Sequence, residues 1–551
     1  MISLAPSTSV ASTSTSTSTS TESISSSVLS FTPLDDIDIR IKRSKEYFNL
    51  KQQQLALENK SLKYEIRDRQ NLLKRLYFAI KDNEELIILA MEKDFNRSRQ
   101  ETISLEFVKL LNDILHIIES LPKWMSNKKV NDWSPVGMFG NIQIQNIALG
   151  TVLIIAPFNF PLLLALLPVV YAISGGNSVI LKPSELTPNT ANIIERIVEQ
   201  SQLPSGLVQI IQGGAVENTK LINSGEFDKI FYTGSPRVGA IVAEAAAKSL
   251  TPCVLELGGK SPTFFTQNLN RSHWETALKR IFFGSFANSG QICVRPDYLL
   301  VHSSIYKDVV KLATQLLHEM FPLIDSQTEF THLINDDSYK RTTIKLKTTN
   351  SNIIQAKIDE SSLQGLNLVP PTLLIDCDWD DSFMKEENFA PILPIIKYDN
   401  LDKTIDKIMT FHDTPLAEYI FSDNSTEINH ILTRLRAGDC MVGDTIIHVG
   451  VPDTPFGGIG TSGYGNYGGN YGFSAFTHER TVFKQPYWMD LALSMRYPPY
   501  SITKRQLAQI ATERKPWFDR DGNDKFPLWK AILIPIGLIM VSLLTKKYIS
   551  S

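Results

Sequence analysis

The chain has 551 residues, of which 43% are hydrophobic and 21% charged, with a net charge of −3. That hydrophobic share excludes a wholly disordered or collagen-like chain, and 55 basic against 58 acidic side chains give no basic balance pointing to nucleic acid. At ~150 residues per domain, the length allows three or four units or one large composite enzyme. The four cysteines, Cys253, Cys293, Cys377 and Cys440, form no CxxC pair. A disulfide-built secreted scaffold and a cysteine-based zinc site are therefore disfavoured, and a large intracellular globular protein without a metal is expected.

In chain order, residues 7–27 are mostly Ser and Thr, and no basic residue precedes Arg40. Such a stretch cannot bury enough apolar area to offset the entropy of ordering, so residues 1–33 read as a disordered tail. The basic and apolar regions of a secretory signal are missing, as are the arginines of a transit peptide. Residues 36–125 carry apolar side chains at spacings of three and four, as in LLKRLYFAIKDNEELIILAMEKDF, which predicts helices. Residues 140–151, GNIQIQNIALGT, alternate and predict an exposed two-stranded ribbon.

Strands are predicted over 151–156, 178–182, 207–211, 229–232 and 254–257, with helices near 160–174, 189–201, 216–224 and 236–249. That alternation argues for a doubly wound parallel sheet. Residues 152–173 form an uncharged run long enough to span a bilayer, but Pro157, Pro161 and Pro168 favour a strand, a loop and a buried helix. A second α/β stretch follows from about 263 to 450. Next comes PFGGIGTSGYGNYGGNYGF, read as too flexible and polar for a helix.

Residues 501–514 read as a helix capped by Ser501 or Thr503, with Leu507, Ile510 and Ala511 on one face. Residues 531–545, AILIPIGLIMVSLLT, carry no charge and lie between Trp529-Lys530 and Lys546-Lys547. Their helical rise of ~22 Å falls short of the ~30 Å hydrocarbon core, a gap that flanking aromatics and snorkelling lysines close. A transmembrane tail anchor over 529–548 is predicted.

The glycine-rich segment contains two literal GxGxxG matches, Gly458-Gly460-Gly463 and Gly463-Gly465-Gly468. Both are set aside, because a dinucleotide fingerprint needs a preceding strand and a following helix, and no helix is expected to start there. Residues 232–239, YTGSPRVG, fit better. They follow the strand KIFY and open a helix, with Thr233 and Gly234 at the turn, Ser235 as cap, Pro236 in the first helical turn and Gly239 beyond.

Seven segments in order carry a more specific signal: APFNFP, LKPSE, YTGSPRVG, LELGGKSP, GQICVRP, MKEENFAPILP and PFGGIGTSGYG. Over residues 40–500 this set resembles the aldehyde dehydrogenase superfamily. The late start, the apolar tail and RYPPY at 496–500 resemble its class 3 branch, in particular the membrane-anchored fatty aldehyde dehydrogenases. The resemblance implies two doubly wound parallel-sheet domains, one binding NAD and one catalytic, plus an oligomerisation ribbon. The expected layout is a tail (1–33), an NAD-binding domain (34–131 and 152–262), oligomerisation strands (132–151 and 471–490), a catalytic domain (263–470), a membrane-proximal segment (491–528) and the anchor.

Cys293 lies in a polar, glycine-flanked loop, whereas the other three cysteines lie in or beside apolar runs. It therefore suits a nucleophile, which needs thiolate character and access. The resemblance implies the Asn159 amide as an oxyanion donor beside the Cys293 N–H, and Glu256 as the base that activates water. Burial of Glu256 in VLEL should raise its pKa. The resemblance also assigns Lys182 and Glu185 to the adenosine ribose, Ser235 to the pyrophosphate, Glu387 to the nicotinamide ribose and Phe389 to ring packing. A carboxylate near the 2′-hydroxyl favours NAD without excluding NADP.

Three departures from the family pattern stand out. Asn388-Phe389-Ala390-Pro391 stands where Ile-Phe-Gly-Pro is usual, and Ala390 in place of glycine narrows the backbone choices beside Phe389. Phe158 stands where tryptophan is usual, and Tyr467-Gly468-Gly469 replaces Tyr-His-Gly. The expected activity is NAD-dependent oxidation of medium- or long-chain fatty aldehydes by a homodimer on a cytosol-facing membrane. Endoplasmic reticulum, mitochondrial outer membrane and lipid droplet remain open, as do an aromatic or small-aldehyde substrate and an inactive membrane-tethered binding protein. In the anchored relatives, a helix in the position of 501–514 roofs the substrate entrance; here that role and an amphipathic spacer helix packed on the body are both open readings.

Overall fold

The computed structural model describes residues 29–132, 137, 139–325, 328–359, 361, 365–513 and 516–524. The proposed anchor and residues 1–28 of the proposed tail lie outside these. Among the described residues, no helix is long and apolar enough to cross a membrane. Residues 29–33 correct the tail's expected boundary: Leu29 is buried, and Thr32 and Gln212 exchange hydrogen bonds through the Thr32 N–H (2.8 Å) and the Thr32 hydroxyl oxygen (3.0 Å).

The chain divides into two compact units. The larger, residues up to 126 and 146–478, holds two sheets. The first has six strands in the order Gly463–Tyr464, Cys253–Leu257, Lys229–Gly234, Thr151–Ile155, Ser178–Lys182 and Val208–Ile210. All pair in parallel except the Gly463–Tyr464 edge, which runs antiparallel to Cys253–Leu257. Helices Leu163–Gly175, Pro188–Gln200, Ala215–Asn223 and Pro236–Lys248 connect these strands, as the alternation predicts. The 152–173 run resolves into the central strand, a loop and a buried helix that carries Pro168.

The second sheet has seven strands, with Pro262–Phe265 between Tyr298–His302 and Ala417–Phe421. Its strands pair in parallel apart from the antiparallel edge Asn352–Gln355. This is an α/β architecture with two mainly parallel sheets, as the resemblance implies. Because Gly463–Tyr464 joins the first sheet, the expected boundary at 263–470 does not match the sheet that takes up its final residues.

The smaller unit, residues 127–145 and from 479, is built on a three-stranded sheet of Lys128–Val130, Asn141–Ala148 and Thr477–Lys484. The alternation at 140–151 therefore marks one strand of three and not a two-stranded ribbon. The helix expected over 501–514 is Ile502–Thr512, with Ser501 accepting the Lys504 N–H at 3.1 Å. Leu507 and Ile510 are exposed.

The glycine-rich segment departs from expectation. A helix does form there, Gly469–Ala475. Its weak intrinsic propensity is overridden by packing: a Cβ on Gly472 would fall 2.5 Å from the Tyr171 ring, so only glycine lets this helix lie on Leu163–Gly175.

Candidate active site

Four parallel strands of the six-stranded sheet end at one rim, where open α/β sheets bind ligands. Thr151–Ile155 runs into the loop carrying Asn159, and Ser178–Lys182 delivers Lys182. Lys229–Gly234 leads into Ser235, and Cys253–Leu257 carries Glu256. The register sets Lys182 and Tyr232 beside Ile155, Thr233 beside Glu256 and Gly234 beside Leu257.

Lys182 is buried and pairs with Glu185; burial lowers its pKa while that carboxylate opposes the shift. Ser235 caps Pro236–Lys248 by accepting the Val238 N–H at 3.4 Å, and Gly239 lies buried in that helix. The Thr233 hydroxyl is buried and has no hydrogen-bond partner.

The nucleophile loop begins with three successive left-handed residues, Asn288 (φ 52°), Ser289 (φ 53°) and Gly290 (φ 69°). Asn288 Nδ2 donates to the Asn159 carbonyl at 3.0 Å and to the Gln291 carbonyl at 3.1 Å. Asn159 Nδ2 donates to the same Gln291 carbonyl at 3.0 Å, which uses one of its two amide hydrogens. Asn159 and Cys293 are thereby held on one local network.

Cys293 is half-buried, with its own N–H and that of Val294 directed at the sulfur. Burial, then Glu387, then Glu256 push its thiol up to about 12. These groups oppose the thiolate character expected of a nucleophile. The reason is physical: two carboxyl groups share a dry site with it.

Glu256 is 3% exposed, and neither carboxyl oxygen has a hydrogen-bond partner. Burial raises its pKa well above the usual carboxylate range, and Asp439 adds to the shift. Burial raises Asp439 itself to about 6.

Glu387 lies against Gly258, where a Cβ would come within 2.2 Å of its Oε2. It accepts the Gly259 N–H, its Oε1 is unpartnered, and burial lifts it to about 8. The Phe389 ring meets Phe158 edge-on with centroids 5.9 Å apart. The left-handed residue in this segment is Phe389 (φ 45°) and not Ala390, so the alanine imposes no backbone conflict.

The geometry thus gathers a cysteine, an amide donor and a buried carboxyl beside a nucleotide-type rim. Residues 50–482 match the aldehyde dehydrogenase family. The chain belongs to that family. It is 56% identical over 519 residues to the fatty aldehyde dehydrogenase HFD1 of Saccharomyces cerevisiae, covering 94% of this chain and 98% of that one. It is 35% identical to aldehyde dehydrogenase family 3 member A2 of Macaca fascicularis, over 80% of this chain and 88% of the other. Among solved structures, the substrate-bound state of the Staphylococcus aureus enzyme AldH aligns with a TM-score of 0.78 and 34% identity, covering 86% of this chain and 99% of that one.

For an aldehyde dehydrogenase, the rim fits a nicotinamide dinucleotide. An orphaned hydroxyl at Thr233, an orphaned Oε1 at Glu387 and a capped helix start at Ser235 all await polar partners.

Sequence reading missed the support beneath Glu387. Buried Asp297 pairs with Lys260 and with Arg295 (3.1 Å) and accepts the Asn388 N–H at 3.2 Å. Lys260 also donates to the Phe383 and Glu386 carbonyls at 2.7 and 3.0 Å. Nothing local in GGKSP or VRPD signals that Lys260 and Asp297 pair across 37 residues, or that Lys260 reaches carbonyls more than a hundred residues on. Asp439 was missed for the same reason.

Proposed function

We propose that this aldehyde dehydrogenase oxidises medium- and long-chain fatty aldehydes to fatty acids with NAD, through covalent intermediates on Cys293. The observation that carries the substrate class is the 56% identity, along nearly the whole of both chains, to a fatty aldehyde dehydrogenase. In this reading the Cys293 thiol gives its proton to a water molecule, and the sulfur bonds to the aldehyde carbon as the carbonyl π bond breaks. The carbonyl oxygen takes the charge, held by the free Asn159 amide hydrogen and the Cys293 N–H. NAD, when bound, would supply the hydride acceptor needed for this thiohemiacetal to become a thioester. Glu256 then accepts a proton from the water that attacks the thioester, the carbon–sulfur bond breaks, and the acid leaves.

Glu256 suits this step because it is dry, unpartnered and tuned upward. Lys182 and Glu185 would hold the adenosine ribose, Ser235 the pyrophosphate, and Glu387 and Phe389 the nicotinamide end. The proposal extends to an anchor at 529–548 that keeps the enzyme where lipophilic aldehydes partition, with the catalytic body facing the cytosol. The test is NADH production by purified full-length protein from hexadecanal and from benzaldehyde. A clear preference for hexadecanal is expected; equal or reversed rates would overturn the substrate class.

A further inference from the structure

Between Ser98 and Val108 the backbone does something the helical periodicity does not announce. A short helical turn, Arg99–Glu101, is capped by Ser98, whose hydroxyl oxygen accepts the Glu101 N–H at 3.0 Å. It passes into a π-helical turn, Thr102–Phe107, closed by the Val108 N–H on the Ile103 carbonyl. In an α-helix residues five apart lie about 140° apart around the axis. A turn with i→i+5 hydrogen bonds instead brings them to the same side, and such turns concentrate at functional sites. The residues so aligned are Glu101 and Glu106.

Each carboxylate holds a different loop of the active site. Glu106, completely buried, accepts the Leu162 and Leu163 N–H groups at 3.0 and 2.8 Å through Oε2, and its Oε1 pairs with buried Arg97. Those two amides close the loop that carries Asn159. The Arg97 guanidinium also lies 4.7 Å from the ring of Phe160, the next residue after Asn159. Glu101 accepts the Asn288 N–H at 3.0 Å and the Thr331 hydroxyl at 2.8 Å. Asn288 opens the left-handed bend before Cys293, and its side chain ties the Asn159 carbonyl to the Gln291 carbonyl. Left-handed backbone at Ser289 is costly without external support.

We infer that the π-turn at 102–107 is a gauge block for the oxyanion site: Glu101 and Glu106 are positioning residues that fix Asn159 and Cys293 at the separation the tetrahedral intermediate needs. The inference rests on the proposed roles of those two residues. It explains why this helix carries two carboxylates five apart and a break in its own period.

Glu101 is partly exposed and makes the better test, since breaking the Arg97–Glu106 pair would leave a buried charge unpaired. In the full-length enzyme, Glu101→Ala should cut the pre-steady-state rate of NADH formation about tenfold while leaving the KM for aldehyde within about twofold, since misplacement acts on the transition state more than on binding. Glu101→Gln keeps an acceptor oxygen and should recover most of the rate. Thr331→Val removes the other partner of the same carboxylate and should retain the wild-type rate. A wild-type rate in folded Glu101→Ala overturns the inference, as does an equal loss in Thr331→Val. If Glu101→Ala does not fold, Asn288→Gly preserves the left-handed backbone but cuts the ties to Asn159 and Gln291, and a wild-type rate there overturns it as well. Activity in Cys293→Ala would instead sink the nucleophile assignment beneath it.

Discussion

At Glu256, catalysis and burial make opposing demands. A base must lose its proton near neutral pH, yet no described residue hydrogen-bonds its carboxylate, and Asp439 adds a second negative charge nearby. Glu256→Gln should preserve the initial NADH burst and slow steady-state turnover by roughly a hundredfold, the usual scale for loss of a general base. A lost burst with an intact steady state would assign Glu256 to another step. Asp439→Asn removes a charge that raises the Glu256 pKa. Glu256 should then ionise at lower pH, and the acid limb of the steady-state rate should move to lower pH. An unmoved limb would show that Asp439 is silent. Cys293 and Tyr467 share this space; burial raises both pKa values, and neither side chain can carry a compensating positive charge.

At the scale of elements, the strand cores and their helices were legible. SVILK coincides with Ser178–Lys182, and KIFY and VLEL lie within the observed strands, because short β-branched runs bounded by breakers leave few alternatives. What stayed hidden depends on long-range packing. Gly469–Ala475 is helical because it lies on Tyr171, which no local propensity contains. The π-turn shifts the period by one residue inside an otherwise regular helical pattern. Cys293, Asn159 and Glu256 were found through motifs, while Asp297, Asp439 and Glu101 sit in ordinary-looking sequence and gain meaning only from partners far along the chain. The helix Ile502–Thr512 leaves Ile502, Leu507 and Ile510 exposed at 66%, 50% and 80%, an apolar face that a surface helix in water gains nothing by keeping. Ending the chain after Phe526 should release the protein from membranes but keep its preference for long aldehydes. Ending it after Tyr500 should also flatten the ratio of long- to short-chain activity. The same chain-length profile in both truncations would exclude a substrate role for this helix.

For the whole molecule, buried carboxyls make stability depend on pH in an unusual direction. Burial raises Glu387 and Glu418 to about 8 and Asp439 to about 6, against values near 4 in an unfolded chain. The folded state therefore holds these protons to higher pH than the unfolded state does. Their contribution is complete below about pH 4 and is lost as pH rises through the folded values. His412 and His448, both lowered to about 4 by burial, act oppositely: their contribution is present above about pH 6.5 and falls away below it. The window from 6.5 to 8 isolates the carboxyls, and Tm should drop there by several degrees, with a shallower slope in Glu418→Gln. A flat or rising Tm across that window would contradict this account. An isologous homodimer is also proposed, with the three-stranded sheet as its interface; a monomer by light scattering of detergent-solubilised protein would rule it out.

The lengths of the outermost strands set how the molecule resists clumping. The six-stranded sheet ends in strands of two and three residues, and the seven-stranded sheet in strands of four and four. Short margins offer a stray chain few backbone groups to pair with. Thr477–Lys484 is eight residues long, stands at the margin of its own sheet, and is broken up by Glu479, Arg480 and Lys484. Those charges act as gatekeepers on the longest template among the described residues. In a protomer freed from the proposed dimer, heat-driven aggregation that begins from the folded state would therefore start along this strand.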